Sequence, residues 1–296
     1  MRFTVIVPAY NAEKTLPRLT AALSRQIFRD FETIIVDDAS TDGTAQVSLP
    51  SPAFRWIRSS RNRGPAHCRN VGARRARGEV LVFTDSDCLP DRFWLENLHH
   101  HFSREDSHII MGRLVLLPST FLGDAISALG FPAGGAIGFD KMWRVDAQGY
   151  TDSLSSCNVA FRRAVFRKTG GFDESFPYAG GEDSLLARRA REMGFRIRYC
   201  PDVVVYHGAR DSLRGFWRWQ FRRGISSFIF STKVTRKKDF VLLRVWSTGN
   251  VIRYSFKDRK FPLVLVLLGF SIIAQSAGFF FGKHLWKSGR LKKGAG

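Results

Sequence analysis

Three short acidic segments carry residues that could bind a metal ion or move a proton: Asp37-Asp38, Asp85-Ser86-Asp87 and Glu182-Asp183. Hard divalent cations prefer oxygen ligands, and a magnesium-type site combines one or two carboxylates with substrate phosphates. A carboxylate next to a like charge has a raised proton affinity, which suits a general base. Acids are also common in loops and in the first turn of helices, so residue type alone leaves a structural explanation open.

The elements that must position these acids can be predicted from the pattern of apolar residues. Within the first 115 residues, short apolar runs alternate with helical patterns, and four runs are typical of strands: Phe3–Val7, Thr33–Val36, Phe54–Ile57 and Val80–Phe83. This alternation predicts an α/β fold with a Rossmann-like, mostly parallel sheet covered by helices on both faces. Ligands of such sheets bind outside the carboxyl ends of the strands. Since Pro8–Asn11, Asp37-Asp38 and Asp85–Asp87 each follow a strand directly, we expect them at one site.

A series of motifs extends over about residues 1–210: TVIVPAYNAEKTL, IIVDDASTDGT, NRGPAHCRNVGARRARGEVLVFTDSDC, CNVAFRR, GGFDESF and GGEDSLLARR. In this combination and order they resemble glycosyltransferase family 2. The resemblance implies the GT-A nucleotide-diphospho-sugar transferase fold. It also implies an inverting transferase that uses a nucleotide-sugar donor and a divalent metal, Mn²⁺ or Mg²⁺. No GxGxxG or Walker-type phosphate loop occurs in the sequence.

The residues that resemble the family's nucleotide-binding segments are expected to contact the donor: Pro8, Ala9, Tyr10, Asn11, Asp38, Asn62, Arg69, Asp85 and Ser86. Pro8–Asn11 could instead be a plain turn, because Pro and Asn both interrupt regular structure. Asp38 would hydrogen-bond the base, for which uracil is expected because it offers an N–H donor. Asp37 could cap the helix that follows.

Asp85-Ser86-Asp87 resembles the D-x-D motif of the family. The resemblance implies that Asp87 binds the metal, while Asp85 contacts the ribose or a metal-bound water. His207, after the apolar run Val203–Tyr206, resembles a position that can add a metal ligand, although a lone histidine is more often structural. The metal would bridge the diphosphate and stabilise the charge that develops on the leaving group.

Glu182 and Asp183 open a predicted helix and resemble the family's E-D motif, whose second acid is the general base on the acceptor hydroxyl. The resemblance therefore implies Asp183 as the base, with Glu182 beside it. Capping and the helix dipole would also explain acids at a helix start. On the acceptor or donor-sugar side, Asn158 could contact a sugar, and Trp143 could stack on a sugar or lie at the level of lipid headgroups.

The C-terminal third of the sequence is strongly basic. Residues 210–296 contain 19 Lys/Arg and 3 Asp/Glu, whereas residues 1–209 carry a net charge of only +4. Within the basic region, Phe261–Gly282 has no charged residue over 22 positions, and about 20 apolar residues suffice to cross a bilayer as a helix. A re-entrant hairpin or a buried helix is the alternative, since Pro262 and polar residues interrupt the run.

The residues before this segment also indicate a membrane surface. Leu213–Phe228 has apolar residues at helical spacing, with Arg214, Arg218 and Arg222 on the other side. This pattern is typical of a helix in the headgroup region or of a helix that covers a domain. The sequence therefore predicts a catalytic domain (1–210), a basic amphipathic helical region at an anionic membrane surface (211–260), a transmembrane or re-entrant segment (261–282) and a basic tail (283–296).

These features together predict a membrane-associated enzyme that transfers a single sugar from a nucleotide sugar to a lipid-linked or cell-surface glycan acceptor. Because such donors are supplied in the cytosol, the catalytic domain is expected on the cytoplasmic side of the cell membrane. Processive synthesis is not expected, since residues 219–224 lack the Q-x-x-R-W motif of membrane polysaccharide synthases. A nucleotidyltransferase on a related α/β fold is one alternative. The other, a nucleic-acid-binding protein, is disfavoured by the uncharged segment within the basic region.

Overall fold

The computed structural model describes residues 1–104, 107–234 and 237–291 and divides into two compact units. The first unit comprises Met1–Val115, Val145–Glu174 and Asp183–His207. The second comprises Leu116–Arg144, Ser175–Glu182 and Gly208–Gly296. Two segments of the predicted catalytic domain 1–210 thus belong to the same unit as the C-terminal helices. The end of the predicted basic tail, residues 292–296, lies outside the described residues.

The described strands are β1 (Phe3–Ala9), β2 (Phe31–Asp37), β3 (Phe54–Arg58), β4 (Val80–Phe83), β5 (Cys88–Pro90), β6 (Ile109–Leu116), β7 (Tyr150–Thr151), β8 (Val159–Arg162) and β9 (Ile197–His207). They form one sheet in the order β3-β2-β1-β4-β8-β6-β9-β5, with β7 paired to β9. The pairs among β1, β2, β3 and β4 are parallel. The pairs β4–β8, β6–β8, β5–β9 and β7–β9 are antiparallel. The sheet is therefore mixed, and the predicted parallel arrangement holds for its first four strands.

The described helices, in chain order, are α1 (Leu16–Ser24), α2 (Pro65–Arg75), α3 (Trp94–Phe102), α4 (Phe121–Ser127), α5 (Phe139–Met142), α6 (Arg163–Lys168), α7 (Glu182–Glu192), α8 (Leu213–Lys233), α9 (Lys237–Ser255) and α10 (Phe261–Lys287). A single turn of 3₁₀-helix covers Gly43–Gln46. The four predicted strands of the first 115 residues are confirmed to within two residues at each end.

Helix α2 packs closely on the parallel strands, and this packing fixes the position of its first turn. β1 and β2 are buried along almost their whole length and are mostly apolar, as expected for a part of the sheet that is covered on both faces. A Cβ atom added at Gly72 would lie 2.5 Å from Ile6 Cγ2, so that only glycine allows this close approach. The helix begins directly after Gly64, whose φ of +90° favours glycine, and has Pro65 in its first turn.

The second unit has its own apolar core among α4, α5, α8, α9 and α10. The buried residues of this core are Ala125, Ile126, Ala128, Leu129, Met142, Phe216, Val251, Val264 and Leu267. Helix α8 buries most of the predicted apolar stripe and exposes the three predicted arginines, Arg214, Arg218 and Arg222. Leu213 and Trp217 differ from the prediction because they are exposed.

Candidate active site

The loops that follow β1 and β2 are joined by hydrogen bonds at the carboxyl edge of the sheet. The backbone N–H of Asp38 donates to the carbonyl oxygen of Ala9 (2.8 Å), and the backbone N–H of Thr41 donates to Asn11 Oδ1 (2.9 Å). Asn11 adopts a left-handed conformation with φ of +51°, which asparagine tolerates better than most residues. These hydrogen bonds join the predicted nucleotide segment to the loop after β2, and Tyr10 within the segment is 49% exposed.

Asp38 connects this edge to the start of α2. Its buried carboxylate accepts hydrogen bonds from the backbone N–H groups of Arg63 (2.9 Å) and Gly64 (2.7 Å). The neighbouring Asp37 is also buried, and its Oδ1 accepts from the backbone N–H of Ser40 (2.9 Å). Asp38 thus positions the loop before α2, which includes the exposed Asn62.

Arg69 of α2 reaches the segment after β4. Its Nη2 donates to Asp85 Oδ1 at 2.6 Å, and its Cζ lies 5.3 Å from the centroid of the Phe172 ring. Arg69 is only 1% exposed. A guanidinium removed from water needs a charged partner, because leaving it unpaired is costly. The pair therefore holds Asp85 in place at the D-x-D segment, where Ser86 is half-buried.

The second acid of this segment, Asp87, lies next to His207. The pairing of β5 with β9 places Cys88 directly opposite His207, and Asp87 Oδ1 is 3.4 Å from His207 Nε2. The ligand atoms of these three residues lie within 4.8 Å of one another. Burial raises the pKa of the Cys88 thiol well above its ordinary value of 9.0, so the thiol stays neutral. A carboxylate and an imidazole therefore remain as donors, a set that fits a divalent cation.

A similar group occurs earlier on β9. The ligand atoms of His101, Cys200 and Asp202 also lie within 4.8 Å of one another, and His101 Nε2 is 2.9 Å from both carboxylate oxygens of Asp202. Burial raises the pKa of Cys200 to about 12. Cys200 precedes His207 by seven residues on an extended strand, which corresponds to about 23 Å. The pair His101–Asp202 is therefore distant from the pair His207–Asp87 and can serve as its control in mutagenesis.

The two acids at the start of α7 differ in environment. Glu182 is buried, and its Oε2 accepts a hydrogen bond from the backbone N–H of Gly180 at 2.6 Å. Asp183 is half-buried, and its Oδ1 accepts from the backbone N–H of Ser184 at 2.8 Å. The resemblance implies Asp183 as the base, with Glu182 beside it, and in the structure the carboxylate of Glu182 binds the backbone of the preceding turn. The partly exposed carboxylate is that of Asp183.

Asn158 differs clearly from its predicted contact with a sugar. It is buried in the sheet, where its amide donates to the carbonyl oxygens of Arg113 (2.8 Å) and Val203 (2.9 Å). Its Oδ1 accepts from Trp94 Nε1 at 2.9 Å. Because both amide protons bind carbonyl groups of the protein, the position is structural. Trp143 belongs to the second unit, where it is half-buried and packs against the apolar core.

Replacing Asn158 by alanine is expected to lower the free energy of unfolding by about 2–4 kcal/mol, since a buried indole N–H and two buried carbonyl groups lose their partner. Urea unfolding followed by circular dichroism measures this change. Asn62→Ala, at an exposed asparagine, is the matched control and should change stability by less than about 0.5 kcal/mol. Equal stability of the two variants would show that Asn158 has no structural role.

The structure also identifies a positioning residue that the sequence analysis missed. Glu174, within the GGFDESF motif, has its Oε2 2.8 Å from His67 Nδ1 and accepts from Arg63 Nη2 at 3.1 Å. Its Oε1 accepts from Asn70 Nδ2 at 3.0 Å. Burial raises the pKa of Glu174, but the hydrogen bonds from Asn70 and His67 and the charges of His67 and Arg63 outweigh burial and lower the pKa from its ordinary 4.5. The signal in the sequence that could have identified Glu174 is its position as an acid directly after the GGFD turn.

The variant Glu174→Gln is expected to be less stable than the wild type at neutral pH. Because the folded protein lowers the pKa of Glu174, the ionised carboxylate contributes stability above pH 4.5, and this contribution is lost as the pH falls through the lowered value. The difference between variant and wild type in urea midpoint should therefore shrink on acidification. Glu79→Gln, at an exposed acid paired with Arg2, is the control. A difference that is independent of pH would contradict the assignment.

Comparison with known proteins identifies the family of this chain. The family model described as glycosyl transferase family 2 matches residues 4–170, and the model for the N-terminal domain of galactosyltransferase matches residues 141–207. The Pre-mycofactocin glycosyltransferase of Mycobacterium tuberculosis is 29% identical over 214 residues, which cover 71% of this chain and 43% of that relative. The O-antigen chain rhamnosyltransferase RfbN of Salmonella typhimurium is 26% identical over 298 residues, which cover 97% of this chain and 91% of that relative. The chain thus spans less than half the length of the first of these relatives.

Solved structures show the same fold. The mannosyltransferase PcManGT from Pyrobaculum calidifontis, solved in complex with GDP-Man and Mn²⁺, has a TM-score of 0.59 at 23% identity over 98% of this chain and 86% of that chain. Residues 1–349 of TarS from S. aureus, solved with UDP, have a TM-score of 0.56 at 22% identity over 98% of this chain and 92% of that chain. These likenesses confirm the predicted GT-A fold. Because the family model matches more than half of the sequence, this chain belongs to glycosyl transferase family 2.

Proposed function

We propose that the protein is an inverting glycosyltransferase that moves a single sugar from a nucleotide-diphosphate sugar to a lipid-linked or cell-surface glycan acceptor. Membership of the family supports the reaction class. The observation that carries the proposal is the gathering of polar groups at the carboxyl edge of the parallel strands. The loop of Asp38, the pair Arg69–Asp85 and the pair Asp87–His207 all lie in the first unit at or beside the ends of these strands.

The nucleotide would bind along the loops after β1 and β2. A UDP-linked donor is proposed, with the exposed ring of Tyr10 close to the base. Asp38 would then act largely through the loop before α2, because the backbone N–H groups of Arg63 and Gly64 bind its two carboxylate oxygens. Solved relatives of the same fold hold UDP in TarS and GDP-Man in PcManGT, which supports a nucleoside-diphosphate donor in general.

Asp87 and His207 would hold a divalent metal, Mn²⁺ or Mg²⁺, with Asp85 oriented beside them by Arg69. The presence of Mn²⁺ in the PcManGT complex supports this proposal. When bound, such a cation supplies positive charge to the diphosphate of the donor as that group leaves. The protein's own contribution is to orient the two ligands through the pairing of β5 with β9 and to keep the Cys88 thiol neutral.

Asp183 would act as the general base. Its carboxylate would accept the proton of the acceptor hydroxyl while that oxygen forms a bond to the anomeric carbon, from the face opposite the diphosphate. The bond between the anomeric carbon and the diphosphate oxygen breaks, so a nucleoside diphosphate is released and the configuration at the anomeric carbon is inverted. This single displacement needs no nucleophilic side chain, and the sequence has no Ser–His or Cys–His motif of that kind.

The test is a product analysis with nucleotide sugars and Mn²⁺. Release of a nucleoside diphosphate together with a glycosylated acceptor or free sugar supports glycosyl transfer. Release of pyrophosphate would instead identify a nucleotidyltransferase. Screening donors by thermal shift identifies the nucleotide before an acceptor is known, because a ligand that binds the folded state raises its melting temperature.

We also propose a position at the cell membrane, with the catalytic unit on the cytoplasmic side. Among the described residues, α10 is the one helix long and apolar enough to cross a membrane. RfbN, named for O-antigen chains, supports a glycan acceptor of the cell surface. Recovery of the full chain in the membrane fraction tests the location, and accessibility to protease from the cytoplasmic side tests the orientation.

A further inference from the structure

Helix α10 has two faces that differ in their surroundings. Its buried residues recur every three or four positions along the whole helix: Val264, Leu267, Ser271, Ala274, Gly278 and Gly282. The rest of its surface exposes large apolar side chains, each between 43% and 66% exposed: Leu265, Val266, Phe270, Ile272, Ile273, Phe280 and Phe281. Phe270 and Phe281 lie at the edge of this apolar face, where their rings also contact α8. This face extends over 17 residues, or about 25 Å. No charged residue interrupts it before Lys283.

The buried face of α10 lies on α8, and the two helices run in the same direction. Successive contacts advance along both helices: the rings of Trp217 and Phe270 are 5.3 Å apart, and those of Phe228 and Trp286 are 6.1 Å apart. Between them, a Cβ atom added at Gly278 would collide with the carbonyl oxygen of Phe221. The backbones are therefore in direct contact, and α10 is bound to α8 along most of its length.

Polar and charged groups on α8 limit how deeply this helix can enter the hydrocarbon of a bilayer. Gln275 Nε2 donates to the fully buried Gln220 Oε1 at 2.9 Å. Arg218 and Arg222 of α8 are exposed, and they directly follow residues whose rings contact α10, Trp217 and Phe221. Both arginines thus lie level with the middle and second half of the apolar face of α10.

This arrangement restricts the orientation of α10 in a bilayer. If α10 crossed the bilayer, α8 would cross beside it, and its exposed guanidinium groups would lie at the depth of the hydrocarbon, which is strongly unfavourable. If both helices lie parallel to the surface, the apolar face of α10 enters one leaflet and the arginines stay at the headgroups. At the start of α10, Lys260 Nζ lies 3.6 Å from Asp124 Oδ2 of α4, within the same unit.

We propose that α10 lies in the plane of the membrane, with its apolar face in one leaflet of a bilayer that contains anionic lipids, and does not cross it. The inference rests on the membrane association in the proposed function, and it is independent of the transfer chemistry. Exposed basic residues of α8 and of the segments at both ends of α10 supply the charge complementarity: Arg214, Arg218, Lys257, Arg259, Lys283, Lys287 and Arg290. A second copy of the chain would bring like charges together on this face, whereas anionic headgroups neutralise them.

The depth of three positions on one face tests this proposal in the full chain. Val266→Cys, Ile273→Cys and Phe280→Cys are spaced seven residues apart, so they lie on the same exposed side of the helix. The four native cysteines are buried, which keeps background labelling low. Each variant carries a nitroxide label and binds vesicles of phosphatidylcholine with phosphatidylglycerol. Collisions with oxygen and with a water-soluble nickel chelate measure the depth of each label.

A helix in the plane of the membrane places the three labels at the same shallow depth. A spanning helix places position 273 deepest and the other two near opposite surfaces, which would overturn the proposal. Spin–spin broadening between molecules without any lipid would identify a second copy as the occupant and would also overturn it. Labelling of Lys257→Cys and Ser288→Cys by an impermeant maleimide gives an independent result: both react from the same side if α10 lies in the plane, and only one reacts if it spans.

A loss-of-binding variant separates this inference from the proposed function. Ile273→Asp should reduce the affinity for the phosphatidylglycerol vesicles by about tenfold or more, because it places a charge on the face that enters the leaflet. Ser288→Asp, beyond the apolar face, should change the affinity by less than about threefold. Release of nucleoside diphosphate from a soluble donor should be the same in both variants. Unchanged vesicle binding by Ile273→Asp would contradict the inference, whereas absence of nucleoside diphosphate release from the wild type would contradict only the proposed function.

Discussion

Replacing Asp183 by asparagine is expected to lower the rate of sugar transfer by about 10²–10⁴-fold. The amide has nearly the same size as the carboxylate, but it cannot accept the proton of the acceptor hydroxyl. The helix start should be preserved, because the amide oxygen can still accept the hydrogen bond from the backbone N–H of Ser184. The affinity for the donor should therefore stay near the wild-type value. Steady-state release of nucleoside diphosphate measures the rate, and thermal shift with the donor measures binding.

The control for this variant is Asp152→Asn, which removes an exposed carboxylate that is paired with Arg191 of the same helix, α7. It tests whether the loss of any acid near α7 lowers activity. We expect it to change the rate by less than about twofold, in keeping with the small contribution of exposed ion pairs. If Asp183→Asn retained the wild-type rate with a saturating acceptor, another group would have to be the base.

Replacing Asp87 by asparagine is expected to lower activity by about 10²-fold at a Mn²⁺ concentration that nearly saturates the wild type. A bound cation contributes several kcal/mol to stabilisation of the leaving diphosphate, and each 1.36 kcal/mol corresponds to a tenfold change in rate. Loss of one carboxylate ligand should shift the Mn²⁺ dose–response curve to higher concentration, so that part of the activity returns when more Mn²⁺ is added. His207→Gln should shift the curve in the same direction, because it removes the imidazole donor.

Asp202→Asn is the reference for the Asp87 variant. Asp202 lies on β9, the strand that carries His207, and pairs with His101 of α3. Cys200 lies near this pair, as Cys88 lies near Asp87 and His207. If any Asp–His–Cys group could support activity by binding Mn²⁺, both variants would shift the dose–response curve. We expect the Asp202 variant to leave the curve unchanged. An Asp87→Asn enzyme with the wild-type Mn²⁺ dependence would remove the proposed metal site.

The elements of the parallel half of the sheet could be predicted from the sequence because their signals are local. Each strand there is a short run of mostly apolar residues, as in Phe3–Val7 before Pro8. Neighbouring parallel strands end at one edge, and this rule is sufficient to bring the loops of Asp38 and Asp85 to the same side of the sheet. The antiparallel half could not be predicted, since its pairs join strands far apart in the sequence, as Cys88 opposite His207.

The roles of single side chains depended on contacts that no local pattern specifies. Asn158 was predicted to bind a sugar, yet β6, β9 and α3 surround it and use its hydrogen-bonding groups. Glu182 and Asp183 differ in environment because the backbone N–H of Gly180, in the preceding turn, binds Glu182. Glu174 became a positioning residue only because α2 brings His67 and Asn70 to it.

For the C-terminal helices, too, local sequence patterns determined some features and tertiary contacts determined others. Composition and periodicity determined that Phe261–Gly282 would be a long apolar helix and that α8 would carry a row of arginines, because both properties are sums over neighbouring residues. Which face of α10 is covered, and at what level the arginines of α8 lie beside it, depended on the contact between backbones at Gly224 and Gly278. Such a contact joins residues far apart along the chain, and only the folded structure brings them together.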